Sequence, residues 1–310
     1  VWNESSGNWT LVKSLDRAYT WQDCSLSDAM AAIGDNGDIV SIKLSPSWNS
    51  DGRLYVATKN RVYLSQDRGR SFDALTPVPG TVYASGAYNI TSLAVDLDLY
   101  GRITVAVGTR DPTAAVGGDV YILNEGIWDS QSVGAYDVLT MELSPNYAMD
   151  ATIIAVCTDA SKTVVRTKVN TGAWGVTVPD ATIKDAASGL DFVSYRACLG
   201  LPGYFKAAGS GGRLTYFVGL SVAGSRGDVF RIDGVWLYGS PTITDLDVRG
   251  NASATGHTET NIWSMALSTG EPEITLIAGT EALNTSAVPV PHGQFLAYLS
   301  SDSGLNWIPR

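Results

Sequence analysis

Carboxylates are the groups best placed to do chemistry in this chain, whose 310 residues carry 31 Asp and Glu against 21 Lys and Arg. A hydrolytic site built from them needs two that face each other across a groove, one giving and one taking a proton. Asp96, Asp98, Asp137, Asp191, Asp245 and Asp247 are the candidates. Asp137 and Asp245 are expected near the starts of innermost strands, where a side chain reaches an axial channel. The competing and preferred reading is that these residues are solvated or cap backbone amides at strand starts and turns. The string Asp96-Leu97-Asp98 has calcium-ligand spacing, but one Asp-x-Asp is a common pattern and no metal site is predicted from it. His257 and His292 are the only histidines and lack metal-ligand spacing.

Cys24, Cys157 and Cys198 show no Cys-x-x-Cys pair. One disulfide with a leftover thiol is one reading; a buried small hydrophobe is the reading preferred for Cys157, which lies in an apolar strand. No glycine-rich loop opens a helix, so no nucleotide or other cofactor is expected. The formal net charge of -10 argues against nucleic acid or an anionic membrane as partner. Apolar runs have strand length, far short of a membrane helix. Five Asn-x-Ser/Thr sequons, at Asn3, Asn8, Asn89, Asn251 and Asn284, point to an extracellular or cell-surface glycoprotein. The first residue is Val1, without an initiator Met or a signal peptide, which reads as a processed product or a segment of a longer chain.

The elements that must carry these residues are strands. Val40 to Pro46 matches Leu139 to Pro145 class by class, and Trp263 to Ser268 is a third copy of this alternating first strand. Near-continuous apolar second strands follow at 54–58, 103–109, 152–158, 214–220 and 274–280, the pattern of strands buried on both faces. Third strands follow at 62–64, 120–122, 164–166, 229–231 and 296–298. Ser27 to Ile33 is the one short helix candidate.

A turn then leads into a fourth strand. Ser65-x-Asp67-x-Gly69-x-Ser71-Phe72 and Ser300-x-Asp302-x-Gly304-x-Asn306-Trp307 share one spacing, and Ser14-x-Asp16-x-Ala18-x-Thr20-Trp21 repeats it with Ala for Gly. The Asp caps amides beyond it, Gly supplies a positive φ, and the aromatic plugs the space between sheets. Gly126-Ile127-Trp128, Gly172-Ala173-Trp174 and Gly234-Val235-Trp236 keep only the end of the device, so aromatics recur at 21, 72, 128, 174, 236 and 307. The segment resembles the Asp-box of BNR-repeat proteins, and the accompanying strands extend that resemblance over nearly the whole chain.

The resemblance implies an all-β propeller of four-stranded blades, six or seven in number, over 1–310 as one domain. A half blade is expected at 1–24 and full blades at about 38–76, 88–130, 136–178, 190–239 and 261–309. The half blade lacks its inner strands, and the strand-like piece Ile243 to Val248 has no place in the scheme. A sialidase is not implied: the Phe/Tyr-Arg-Ile-Pro entry motif is missing, and its nearest string, Phe230-Arg231-Ile232-Asp233, falls in a third strand. No catalytic residue is assigned. The expectation is a non-enzymatic extracellular structural or binding propeller that associates with protein partners or itself, with glycan as a further ligand. The alternatives are a secreted glycoside hydrolase of endoglucanase type and an assembly-factor-like propeller. Trp48, outside the repeated aromatic position, is the candidate surface contact, with packing against the adjacent blade an equal reading.

Overall fold

The computed structural model describes residues 2–3, 8–113, 117–185, 188–207, 213–224, 226–237, 239–248, 260–268, 274–280 and 297–309. The chain folds into two compact units, Val1–Ala135 and Tyr136–Arg310.

The first unit opens with two small hairpins, β1 (Trp2–Asn3) with β2 (Asn8–Trp9) and β3 (Val12–Lys13) with β4 (Gln22–Asp23), followed by α1 (Leu26–Ala32). Two four-stranded antiparallel sheets follow. One is β5 (Ile39–Leu44), β6 (Leu54–Thr58), β7 (Val62–Ser65) and β8 (Asp73–Ala74), with the one-turn helix α2 (Trp48–Asp51) between its first two strands. The other is β9 (Asn89–Leu97), β10 (Ile103–Arg110), β11 (Val120–Asn124) and β12 (Ile127–Ser130).

The second unit holds three such sheets. They are β13 (Asp137–Leu143), β14 (Thr152–Thr158), β15 (Thr163–Val169) and β16 (Ala181–Ile183), with α3 (Tyr147–Asp150) after the first strand; β17 (Ser194–Gly200), β18 (Thr215–Val222), β19 (Val229–Asp233) and β20 (Thr242–Asp245); and β21 (Ile262–Leu267), β22 (Leu276–Thr280), β23 (Ala297–Ser300) and β24 (Ile308–Pro309).

Each sheet is a propeller blade, its four strands taken in sequence order, and the fold class is a β-propeller of five blades rather than six or seven. Among the described residues the N-terminal repeat contributes only the two-residue strands β3 and β4, which pair with each other and not with a larger sheet. Repeat spacing counted that hairpin towards another blade; strand pairing does not. The piece starting at Ile243 belongs to β20, the outer strand of the fourth blade, so Trp236 lies in the connection before that strand. Trp174 likewise sits in a turn well ahead of β16.

The second strands are the buried layer. Every residue of β6 and β14 is buried; in β6 one face, Tyr55 and Ala57, meets the second blade, and the other, Leu54 and Val56, meets Cys24 and α1. Tyr55, Ala57 and Val62 pack with Ile90, Leu93, Val105 and Trp128 in the first unit; Ile154 and Val165 pack with Tyr216, Val218 and Phe230 in the second. A closing Trp bolts two successive blades in each unit. Trp128 donates its indole N–H to the Thr76 carbonyl at 2.9 Å, and Trp307 donates to that of Leu246 at 3.0 Å.

One irregularity recurs in all five blades. The pairing of first with second strand slips by one residue near the start of the inner strand, leaving Val40, Thr91, Leu139, Tyr195 and Trp263 as the extra residues. A bulge of this kind bends the strand and re-aims the side chain it carries.

Candidate functional site

In the fourth and fifth blades the bulge residue is an exposed aromatic: Tyr195 is 42% and Trp263 38% accessible, although both sit on inner strands. The guanidinium of Arg196 lies 4.6 Å from the centre of the Trp263 ring, so the cation covers an aromatic face. Asn261 Nδ2 donates to the Tyr195 hydroxyl at 3.1 Å. Asn261 is itself buried, its Oδ1 accepting from Val222 N at 2.7 Å and from Gly227 N at 3.2 Å. Gly227 is required there: a Cβ would stand 2.0 Å from the Leu220 carbonyl oxygen and 2.9 Å from Asn261 Oδ1. The result is a preorganised surface of two aromatics and a cation, braced from beneath by a buried amide. Such surfaces stack on the apolar faces of sugar rings and bond their hydroxyls.

A second constellation lies on the outer side of the fourth blade. One carboxylate oxygen from each of Asp228, Asp245 and Asp247 lies within 4.8 Å of the other two. Asp228, just before β19, is fully buried. Burial, then the charge of Asp245, push its carboxyl well above the usual carboxylate range, against the amide hydrogen bonds from Val248 and Val229. Asp245 borders two clefts. One of about 420 Å³ also involves Thr244, Asp247 and Gly304 to Trp307; the other, of about 270 Å³, involves Thr182, Lys184, Asp185, Phe230 and Ile243.

Of the residues singled out from sequence, Asp245 and Asp247 join this cluster, and the others fall elsewhere. In all three Ser-x-Asp turns the Ser hydroxyl bonds the Asp carboxylate at 2.8 Å (Ser14–Asp16, Ser65–Asp67, Ser300–Asp302) and accepts from the amide four residues on. Each Asp also takes both the amide and the side chain of Thr20, Ser71 or Asn306. Both carboxylate oxygens are thereby occupied within the turn. Phe72 is buried, Trp307 half-buried and Trp21 exposed.

Asp98 is tied to Arg102 and to the Tyr100 amide, and Asp96 to the Leu97 amide. Asp137 starts the inner strand β13 but is buried, and Asp191 lies 3.7 Å from Lys184. The expectation for Asp245 is corrected: it ends an outermost strand, where pairing with Phe230 places it, and not an inner one. Of the two readings of Trp48, packing holds: it starts α2 and lies half-buried against the cluster of Cys24, Leu26 and Phe72. Cys24, Cys157 and Cys198 are all free thiols. Asn89 begins β9, half-buried. Asn3 and Asn8 pair through their backbones, and their side chains, like all of Asn251, Asn284, His257 and His292, lie outside the described residues.

Sequence reading passed over two legible signals. Ser45-Pro46-x-Trp48-x-x-Asp51 and Ser144-Pro145-x-Tyr147-x-x-Asp150 build the same turn, with the Ser hydroxyl on the Asp carboxylate at 2.6 and 2.9 Å. Gly118-Asp119-Val120-Tyr121 and Gly227-Asp228-Val229-Phe230 open equivalent third strands. The aromatic surface had no such signal, because a bulge follows from pairing rather than from residue type.

No protein-family model matches the chain, and no curated protein matches it by sequence. Similarity appears at the level of structure. The GH74 xyloglucanase of Xanthomonas campestris superposes on 96% of this chain and 41% of its own, with a TM-score of 0.59 at 16% identity. An ancestral GH74 enzyme covers 99% of this chain and 39% of its own, with a TM-score of 0.49 at 12% identity. The chain thus spans about two fifths of the length of these enzymes. The expectation of a non-enzymatic structural propeller is corrected by this likeness: over nearly its whole length the chain has a fold that a glycoside hydrolase shares.

Proposed function

We propose that this chain is a propeller of a glycoside hydrolase of endoglucanase type, acting on a β-linked polysaccharide of the xyloglucan class. The observation that carries the reading is the likeness of 96% of the chain to a xyloglucanase. The bulge-borne surface of Tyr195, Arg196 and Trp263 gives that reading a place for substrate. Aromatic faces suit the C–H faces of glucose units, Arg196 offers donors to hydroxyls, and the buried Asn261 holds the Tyr195 hydroxyl in place. The finer family assignment, to Asp-box propellers, is supported by the shared hydrogen bonding of the turns at Asp16, Asp67 and Asp302. An extracellular location accords with a polysaccharide substrate and with the five sequons. Among the described residues no helix is long and apolar enough to cross a membrane.

The test is affinity electrophoresis and calorimetry on xyloglucan, mixed-linkage glucan and cellulose oligomers, with reducing-end release by the native full-length protein. Binding is expected to weaken about tenfold in each of Tyr195→Ala and Trp263→Ala, the scale of one lost aromatic contact. Neither retardation nor reducing ends on any β-glucan would overturn the reading.

A further inference from the structure

The second and fourth blades build the same corner from different residues. Asp119 precedes β11 and Asp228 precedes β19. The Oδ1 of each accepts from its successor's amide, Val120 at 2.8 Å and Val229 at 2.7 Å. That same oxygen accepts from the amide beyond the outer strand, Val133 at 2.8 Å and Val248 at 3.1 Å. Strand pairing is equally matched, Tyr121 opposite Ser130 and Phe230 opposite Asp245. Ser132 and Asp247 share the left-handed backbone, at φ 55° and 47°.

What differs is the second oxygen. In the second blade Asp119 Oδ2 accepts from the Ser130 hydroxyl and from Ser132 N, so the carboxylate is satisfied by donors. The fourth blade replaces both serines by aspartates. Asp228 Oδ2 is enclosed and takes no hydrogen bond, and the residues in place of the two serines bring two further carboxylates within reach. A buried acceptor left unmatched costs free energy, and three negative charges this close repel. Something positive has to replace the lost donors.

We infer that Asp228, Asp245 and Asp247 form a binding site for a hard divalent cation of the calcium class. All the donors are oxygens, which selects calcium or magnesium over zinc or copper. Ligand oxygens on opposite sides of a calcium ion stand about 4.8 Å apart, twice its usual bond length, so three oxygens within 4.8 Å of one another can share one ion. Calcium's loose coordination also suits a site whose outer two ligands border an open cleft that admits water. The ion would tie the start of β19 to the end of β20. Leu246, between two of the ligands, accepts the Trp307 indole hydrogen bond, so the same ion would stiffen the junction of the fourth and fifth blades. This site does not depend on the polysaccharide reading.

The experiment compares EGTA-stripped protein with protein given calcium or magnesium chloride, by thermal unfolding and calorimetry. One calcium per chain is expected, with Tm raised by about 5 °C at a hundredfold excess over Kd. Asp228→Asn should weaken binding at least tenfold. The double variant Asp245→Ser/Asp247→Ser copies the second blade, so it should fold at least as stably as the stripped parent and lose the calcium response. A parent whose Tm is the same in EGTA and calcium would overturn the site in favour of a shared proton. A calcium response that survives in the double variant would also overturn it.

Discussion

Tyr63 donates its phenol hydrogen to Asp35 Oδ2 at 2.7 Å, joining a buried carboxylate after α1 to the third strand of the first blade. The same carboxylate accepts from Thr58 Oγ1 at 2.8 Å, Asn60 Nδ2 at 2.9 Å and Gly37 N at 2.9 Å. Burial, then the hydrogen bond to Asp35, push the phenol's pKa far up, so Tyr63 stays protonated in the folded protein. Tyr63→Phe should cost about 1.5 kcal/mol, and Asp35→Ala about 3 kcal/mol because several buried donors lose their acceptor. Urea unfolding followed by fluorescence measures both; equal costs would mean that Tyr63 alone matters.

The turn carboxylates set an acid limit. Hydrogen bonds from Thr20 and Ser14 lower Asp16 from 3.8 to about 2, and those from Asn306 and Ser300 lower Asp302. Burial acts against the charge on Asp67, but the bonds from Ser71, Ser65 and Arg70 outweigh it and hold its carboxyl low as well. A depressed folded pKa adds stability that is present above the unfolded value and lost as pH falls through the folded one. Stability should therefore fall from about pH 4 towards pH 2, and less steeply in Asp67→Asn. Thermal unfolding across that range checks it, an unchanged slope in the variant being the contrary result.

Ala18 occupies a position that Gly69 and Gly304 hold in the other two turns. Its φ is 71°, against 76° and 88° for the glycines. An L-residue is strained there, so Ala18→Gly should stabilise the protein by about 0.5 kcal/mol after the added freedom of the unfolded chain is counted. Gly69→Ala should destabilise by about 1 kcal/mol through strain alone, since its Cβ would make ordinary contact with Cys24 and Leu54 at 3.4 Å. Urea midpoints of the two variants should move in opposite directions.

Asn261→Ala removes the acceptor of two buried amides and the donor to Tyr195. Stability should drop by about 2 kcal/mol, and polysaccharide affinity should fall although Asn261 is buried. Asn261→Asp keeps an acceptor for the amides but not the donor. It should recover stability more than affinity, and calorimetry beside urea unfolding separates the two effects.

Cys24 and Cys157 are buried, and burial pushes the Cys198 thiol up to about 12. A thiol reagent at neutral pH should leave all three unmodified in the folded protein and label all three in denaturant. Rapid labelling of one thiol without denaturant would contradict this packing.

Blade architecture was legible because each second strand is a run of Val, Ile, Leu and Ala, and because the Ser-x-Asp spacing repeats. The turns at Asp16, Asp67 and Asp302 close through bonds within five residues, so their chemistry is local. Blade number was not legible in the same way. Repeated aromatics mark where a fourth strand approaches, but Trp174 and Trp236 lie in the connections before β16 and β20, and a hairpin without inner strands looks in sequence like part of a blade.

The amino-acid sequence by itself determined the strand pattern and the local turns, since these depend on side-chain type at short spacing. Tertiary structure alone decided the two constellations. Tyr195 and Trp263 face solvent because one extra residue in the pairing of β17 with β18 and of β21 with β22 re-aims them. Asp228 meets Asp245 and Asp247 because strand register sets Phe230 opposite Asp245, across a separation in sequence that no local pattern spans.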